Sequence, residues 1–208
     1  MKKLLHIVAT PREDESRTLQ VSEVFLDAFL PKHSDYVFEE LTLAKASLPS
    51  LSQKRVDGKY LLLEGENLFG GIKESWEEIL RFIEQFLSAD LYLISTPMWN
   101  FHIPYMLKHY IDLIVQPKYL FRYTKTGVEG LAKNKKMVVI TSRGGTYETE
   151  ATKGLDFQEP YLRAIFGFVG IQDISFINAQ PMDQGSERRN KAIAQAQEEA
   201  KRMAEAFE

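Results

Sequence analysis

The chain alternates short, nearly unbroken apolar runs with stretches in which apolar residues recur every three or four positions, the two periods of buried strands and amphipathic helices. Residues 3–9 form the first run, a strand cut off by Thr10-Pro11. Val21, Val24, Phe25, Ala28 and Phe29 then fall on one helical face, and Pro31 closes that segment. Residues 35–43 alternate in part and predict a second, more exposed strand. Glycines 58, 65, 70 and 71 interrupt residues 44–71, which read as a long, partly ordered connection. From Ile72 to Leu87 an amphipathic helix is clear, with Trp76, Ile79, Leu80, Ile83 and Phe86 on its apolar face.

Residues 90–96 predict a strand running into Pro97, and Pro104 opens the next helix, as proline in a first turn does. The polar and aromatic residues 116–130 suggest a small hairpin. Residues 136–142 are another buried strand, stopped by Arg143-Gly144-Gly145. A helix over 160–169 ends at Gly170, residues 171–179 are a last strand, and Ile193, Ala196, Ala200, Met203, Ala204 and Phe207 mark a last helix. Strands and helices thus alternate in roughly five βα units with no linker, and the strands are apolar throughout. The expectation is one domain over residues 1–208: an α/β protein with an open, doubly wound, five-stranded parallel sheet in the order 2-1-3-4-5 and helices on both faces. Ligands bind such sheets beyond the carboxyl ends of the strands, which directs attention to the loops after strands one, three and four.

Composition narrows the chemistry. The absence of cysteine removes disulfides, cysteine-bound metals and thiol redox chemistry, so any redox work needs a bound cofactor. A net charge of −3 argues against nucleic acid, because neutralising phosphates requires a basic face. No window approaches the ~20 apolar residues of a membrane span, and Arg12-Glu13-Asp14-Glu15 follows the first run where a signal peptide would carry a cleavage site. A soluble, cytoplasmic protein is expected. The four histidines show no metal-binding spacing, and GxSxG, Walker A and GxGxxG sequences are all missing. Ala9-Thr10 and Thr96-Pro97 stand where a receiver domain would carry its acids.

Each of the three loops has a functional and a plain reading. In the first, Thr10, Ser16 and Thr18 with Arg12 and Arg17 precede a helix, where free N–H groups and the helix dipole attract a phosphate; capping by Ser16 or Thr18 is the plain alternative. In the second, Met98-Trp99-Asn100-Phe101 lies between two prolines and offers faces and polar edges for a flat ligand, or simply core. In the third, Gly144 and Gly145 after Ser142 and Arg143 allow close backbone approach, or a tight turn.

Taken together and in order, these segments resemble the FMN-dependent NADH-azoreductase family, flavodoxin-like NAD(P)H:quinone oxidoreductases. The resemblance rests on Ser16-Arg17-Thr18, on Pro97-Met98-Trp99-Asn100-Phe101-His102-Ile103-Pro104 with Lys108-His109-Tyr110-Ile111-Asp112, on Phe121-Arg122-Tyr123, on Thr141-Ser142-Arg143-Gly144-Gly145, and on Asp156-Phe157-Gln158-Glu159-Pro160-Tyr161-Leu162. It differs in having Thr10 where serine is common and Trp99 where tyrosine also occurs. The resemblance implies bound FMN, its phosphate held by Thr10, Ser16, Arg17 and Thr18. Met98, Trp99, Asn100 and Phe101 would surround the isoalloxazine, and Ser142, Arg143, Gly144 and Gly145 would bond its pyrimidine side.

It further implies a homodimer with active sites at the interface, Phe121 and Tyr123 bordering the substrate pocket and Phe168 of the partner subunit roofing it. The implied reaction is two-electron, ping-pong reduction of quinones by NADH or NADPH and reductive cleavage of azo compounds to amines. Flavin N5 would carry the hydride, with no catalytic acid or base and no metal. Arg143 and Arg55 are two cations on offer for a 2′-phosphate of NADPH. The competing class is a flavodoxin-type electron carrier, which would dock on partner enzymes through a strongly charged surface that −3 over 208 residues does not suggest.

Overall fold

In the computed structural model, which describes residues 1–207, the apolar runs become strands β1 (Lys2–Val8), β2 (Tyr36–Thr42), β3 (Leu91–Pro97), β6 (Lys136–Ser142) and β7 (Asp173–Ala179). They form one parallel sheet in the order β2-β1-β3-β6-β7. Two short strands, β4 (Phe121–Thr124) and β5 (Gly127–Gly130), pair separately as the expected antiparallel hairpin. With the hairpin left out, the order is the expected 2-1-3-4-5. Helices α1 (Arg17–Phe29), α3 (Gly70–Leu87), α4 (Tyr105–Ile114), α5 (Gln158–Phe168) and α6 (Ser186–Glu205) lie between and after the strands. None of the described helices is long and apolar enough to cross a membrane.

Alternation along the strands explains why they are apolar throughout. Leu5, Ile7, Tyr92, Ile94, Met137 and Val139 point to one face and pack with Trp76, Ile79, Ile83, Tyr110, Leu162 and Phe166 from α3, α4 and α5. Leu4, Leu91, Leu93, Val138 and Ile140 point to the other, against Val21, Phe25 and Phe29 of α1 and the alanines of α6. Those alanines, at 192, 196, 200 and 204, recur every four residues, so α6 keeps one small-residue stripe inward despite its charged remainder.

The connection over 44–71 is more ordered than expected. It holds α2 (Gln53–Leu63), which packs through Leu62 and Gly58, its two buried residues. A Cβ on Gly58 would sit 2.3 Å from Trp76 Nε1, and that indole N–H donates to the Arg55 carbonyl at 3.0 Å. The glycine taken for a breaker is a packing requirement. The hairpin is docked just as closely: a Cβ on Gly130 would lie 2.3 Å from both Gly170 N and the Val169 carbonyl carbon, and the Ala132 N–H donates to Val169 O at 2.8 Å.

One polar string crosses this apolar interior. His6 Nε2 lies 2.7 Å from Ser95 Oγ, Ser95 Oγ 2.5 Å from Ser22 Oγ, and Ser22 Oγ donates to the Thr18 carbonyl at 3.0 Å. His6, Ser95 and Ser22 are all buried, and Glu40 Oε2 stands 3.4 Å from the other His6 nitrogen.

Candidate functional site

The carboxyl ends of β1, β3, β6 and β7 surround a cleft of about 220 Å³ lined by Thr10, Arg12, Ser16, Arg17, Thr18, Pro97, Met98, Trp99, Ser142, Gly144, Met182 and Asp183. The three loops singled out in the sequence therefore share one rim. Thr18 Oγ1 and Ser142 Oγ are 2.7 Å apart, a direct hydrogen bond between the hydroxyl-rich loop and the glycine loop. Ser16 is the N-cap of α1 and accepts from Leu19 N at 3.3 Å, so the plain capping role is real. Capping leaves the Arg17 and Thr18 amides, in the first turn, without intrahelical partners and directed at the helix end.

The acids of the first loop do not oppose an anion in the cleft. Glu13, Asp14 and Glu15 form a short 3₁₀ turn without buried residues; Glu15 pairs with Arg12 and Glu13 with Lys45 at 2.8 Å. That lysine holds the Glu13 carboxyl below its usual range. Asp183 does reach the cleft, and Arg17 meets it at 2.8 Å while also donating to Met182 O. The loop after β7 supplies Met182 and Asp183, beyond the first, third and fourth strand ends to which the sequence directs attention. The strand-end rule itself applies equally to the last strand.

The second loop is strained. Trp99 and His102 exchange backbone hydrogen bonds of 2.8 and 2.9 Å, closing a two-residue turn whose central residues, Asn100 and Phe101, have φ of 49° and 67°. Turns of this kind favour Asn-Gly, and Asn100 suits the first place. A phenylalanine in the second costs roughly 1–2 kcal/mol. Phe101 and Trp99 are nevertheless exposed, so neither fills core. Strain at an exposed aromatic turn is characteristic of binding sites. The Phe157 N–H secures the turn from outside, donating to Phe101 O at 3.0 Å, as the Tyr147 ring does edge-on.

His102 closes the same turn: its Nδ1 accepts from Ile103 N at 2.8 Å, which requires that nitrogen unprotonated, and its ring lies on Tyr161. Burial, with the Lys108 cation nearby, holds its pKa below the ordinary 6.5. A depressed histidine binds fewer protons folded than unfolded, so its contribution is complete above about 6.5 and lost as pH falls through the lower folded value. Thermal melts of the wild type should therefore drop as pH descends below about 6.5, and His102→Asn, which keeps an acceptor near the same place, should flatten that slope. Parallel slopes for the two proteins would refute this assignment.

Other predicted residues take different places. Gly144 belongs in the cleft, and a Cβ there would meet Asp183 Oδ2 at 2.7 Å; Gly145 follows it, partly exposed. Arg143 is 2% exposed, its guanidinium turned inward onto Asp156, so only its backbone faces the rim. Arg55 bonds Ser75 O, Ser50 O and Glu78. Neither cation offered for a 2′-phosphate is available. Phe121, Tyr123 and Phe168 do not line this cleft. They form one cluster, with Phe168 only 4.8 Å from Phe121 and Tyr123 edge-on to it, because the hairpin is docked on the end of α5. Assigning Phe168 to one subunit and the other two aromatics to its partner does not follow from this packing.

A family profile described as having a flavodoxin-like fold matches residues 2–204. The FMN-dependent NADH:quinone oxidoreductase of Desulfotalea psychrophila is 36% identical, covering 96% of this chain and 95% of its own. The chain belongs to the flavodoxin-like family of FMN-dependent NADH:quinone oxidoreductases. A second member, from Coprothermobacter proteolyticus, is 37% identical over the full length of both chains. Among solved structures of the family, an FMN-dependent NADH-azoreductase from Bacillus anthracis in complex with FMN superposes with a TM-score of 0.84 at 30% identity, covering 98% of this chain and all of the other. An azoreductase from the same species reaches 0.90 at 26% identity over all of both chains.

Proposed function

We propose that the cleft holds FMN and that the protein is an FMN-dependent oxidoreductase moving two electrons from NADH to quinones. The observation that carries this is the hydrogen bond between Thr18 and Ser142, which joins an anion-binding helix end to a glycine loop beside an exposed aromatic turn. The residues suit the group. First-turn amides with the hydroxyls of Thr10, Ser16 and Thr18, and with Arg17, hold a phosphate. Met98, Trp99, Asn100 and Phe101 flank a flat ring, while the backbone of residues 142–145 offers donors to its polar edge. When bound, FMN supplies the electron-transfer chemistry, and the protein's part is binding, orientation and charge placement.

The two substrates use one site in turn, a ping-pong order that suits an open aromatic rim. Aromatic azo compounds fit the same rim, and their cleavage to two amines takes four electrons, hence two molecules of NADH. We infer a single domain acting as a cytoplasmic homodimer. A second copy facing the cleft would bring Phe121, Tyr123 and Phe168 as one block rather than separately. The commitment of Arg143 and Arg55 elsewhere favours NADH over NADPH.

The purified protein should be yellow, or become so with FMN, and should oxidise NADH with menadione and, more slowly, with methyl red. Rates with NADPH should be lower. A colourless protein that gains no activity with FMN would refute the reading. FMN uptake without reduction by NADH would make it an electron carrier instead.

A further inference from the structure

Among the described residues, Arg143 is the one lysine or arginine that is fully buried, although its neighbours Ser142 and Gly144 line the cleft. Its Nε donates to Thr141 Oγ1 at 3.1 Å and Gln158 Oε1 at 3.2 Å, and one terminal nitrogen to Asp156 Oδ2 at 2.9 Å. The other terminal nitrogen stands 3.6 Å from Glu159 Oε2 and makes no hydrogen bond. Gln158 is also fully buried and donates from Nε2 to Pro97 O at 2.9 Å and Thr96 O at 3.5 Å. Asp156 in turn accepts the Gln158 and Glu159 amides of the α5 N-terminus through its other oxygen.

Buried ion pairs rarely repay their desolvation, and apolar replacements are often as stable. Stability alone is a poor account of this cluster. Its position supplies a better one. The last backbone bond between the β3 and β6 ends is Met98 N–H to Ser142 O, 2.9 Å; beyond it the chains part to form opposite sides of the cleft. The linkage Arg143–Gln158–Pro97 spans them from behind, and the Phe157 N–H, one residue before Gln158, holds Phe101 O.

We propose that Arg143 is a positioning residue: through Gln158 it fixes the backbone at 97–101, and through its own bonds to Thr141 and Asp156 it fixes the backbone at 142–145 on the other side of the cleft. The proposal deepens the reading of the cleft as an FMN site and rests on it. A lysine at 143 would keep the charge, but its shorter side chain ends in one compact ammonium and lacks the planar fork whose separate nitrogens reach Thr141, Gln158 and Asp156.

Hydrogen exchange on the full-length protein, with the FMN dissociation constant measured by flavin fluorescence, tests this. R143K should speed amide exchange in both segments, and raise the FMN dissociation constant, by about tenfold or more, while the sheet core stays protected. Q158L, which keeps the Arg143–Asp156 pair, should speed exchange at 97–101 and leave 142–145 as in the wild type. Core variant I83A is the comparison for lost stability without lost positioning, its acceleration being spread along the chain. An R143K profile like that of I83A, or unchanged exchange in both segments, would overturn the proposal. If R143K does not fold, the segment-confined response of Q158L decides, with an even response overturning it. A wild type that takes up no FMN would defeat the cofactor reading, while the exchange profiles still decide on the tether.

Discussion

Gly130→Ala is expected to cost the protein at least ~2 kcal/mol, in the range of overpacked cores. The methyl group would arrive 2.3 Å from backbone atoms of Val169 and Gly170, and backbone, unlike a side-chain tip, has no rotamer by which to yield. Gly170 opposes it with φ of +106°, a conformation that resists a side chain on its own account, so the contact has no slack on either side. The hairpin should lift from α5, taking Phe121 and Tyr123 away from Phe168. Denaturant unfolding should therefore show the loss of stability, and quinone KM should rise together with it. Gly167→Ala provides the contrast: it lies within α5, has nothing within 4 Å of an added Cβ, and should stabilise by about 0.5–1 kcal/mol. Similar midpoints for wild type and Gly130→Ala would mean that the two glycines are not packed as described.

Phe101→Gly should separate stability from binding. Glycine is the residue this turn favours after Asn100, so the substitution removes backbone strain of roughly 1–2 kcal/mol. It also adds an unfolded-state entropy cost of about 0.5–1 kcal/mol and loses the contact with Tyr147. The melting temperature without FMN should thus stay within a few degrees of the wild type, a degree scale set by about 1 kcal/mol in a chain of this size. FMN affinity should nevertheless fall by about tenfold, or ~1.4 kcal/mol, because an exposed ring face is gone. Phe101→Leu keeps the strain and loses the ring, and should be less stable than Phe101→Gly while still binding FMN more weakly than the wild type. A much less stable Phe101→Gly protein with undiminished FMN affinity would show that this ring serves the fold and not the ligand.

Much of this architecture was legible because parallel strands buried on both faces leave continuous apolar runs, and residues 3–9, 90–96 and 136–142 are such runs. Helix α2 was not. It buries little beyond Leu62 and Gly58, so its apolar period is weak, and the glycine that suggested interruption is there to admit Trp76. The rim loops were found by rule, since strand ends in such sheets bind ligands. What went unseen there depended on partners distant in sequence. Arg143 looked like a residue of the site until Asp156 and Gln158, thirteen and fifteen positions away, drew its side chain inward. The sequence shows Phe121, Tyr123 and Phe168 one at a time, but their unity comes from a backbone contact between Gly130 and Gly170 that no local pattern announces.

The string of His6, Ser95 and Ser22 has a consequence for how the sheet assembles. Strands as uniformly apolar as β1 and β3 would tolerate a shift of two residues along each other, since every side chain would still face the layer it faced before. Relative to β1 and the α1 helix that follows it, such a shift moves Ser95 by about 6.6 Å; in either direction this breaks its 2.5 Å contact with Ser22, and in one direction it also carries Ser95 out of reach of His6. It would leave a buried hydroxyl without its partner in an apolar layer, where each unsatisfied group costs about 1–3 kcal/mol. Grease alone leaves the alignment degenerate; one imidazole and two hydroxyls act as a key that only a single alignment can turn.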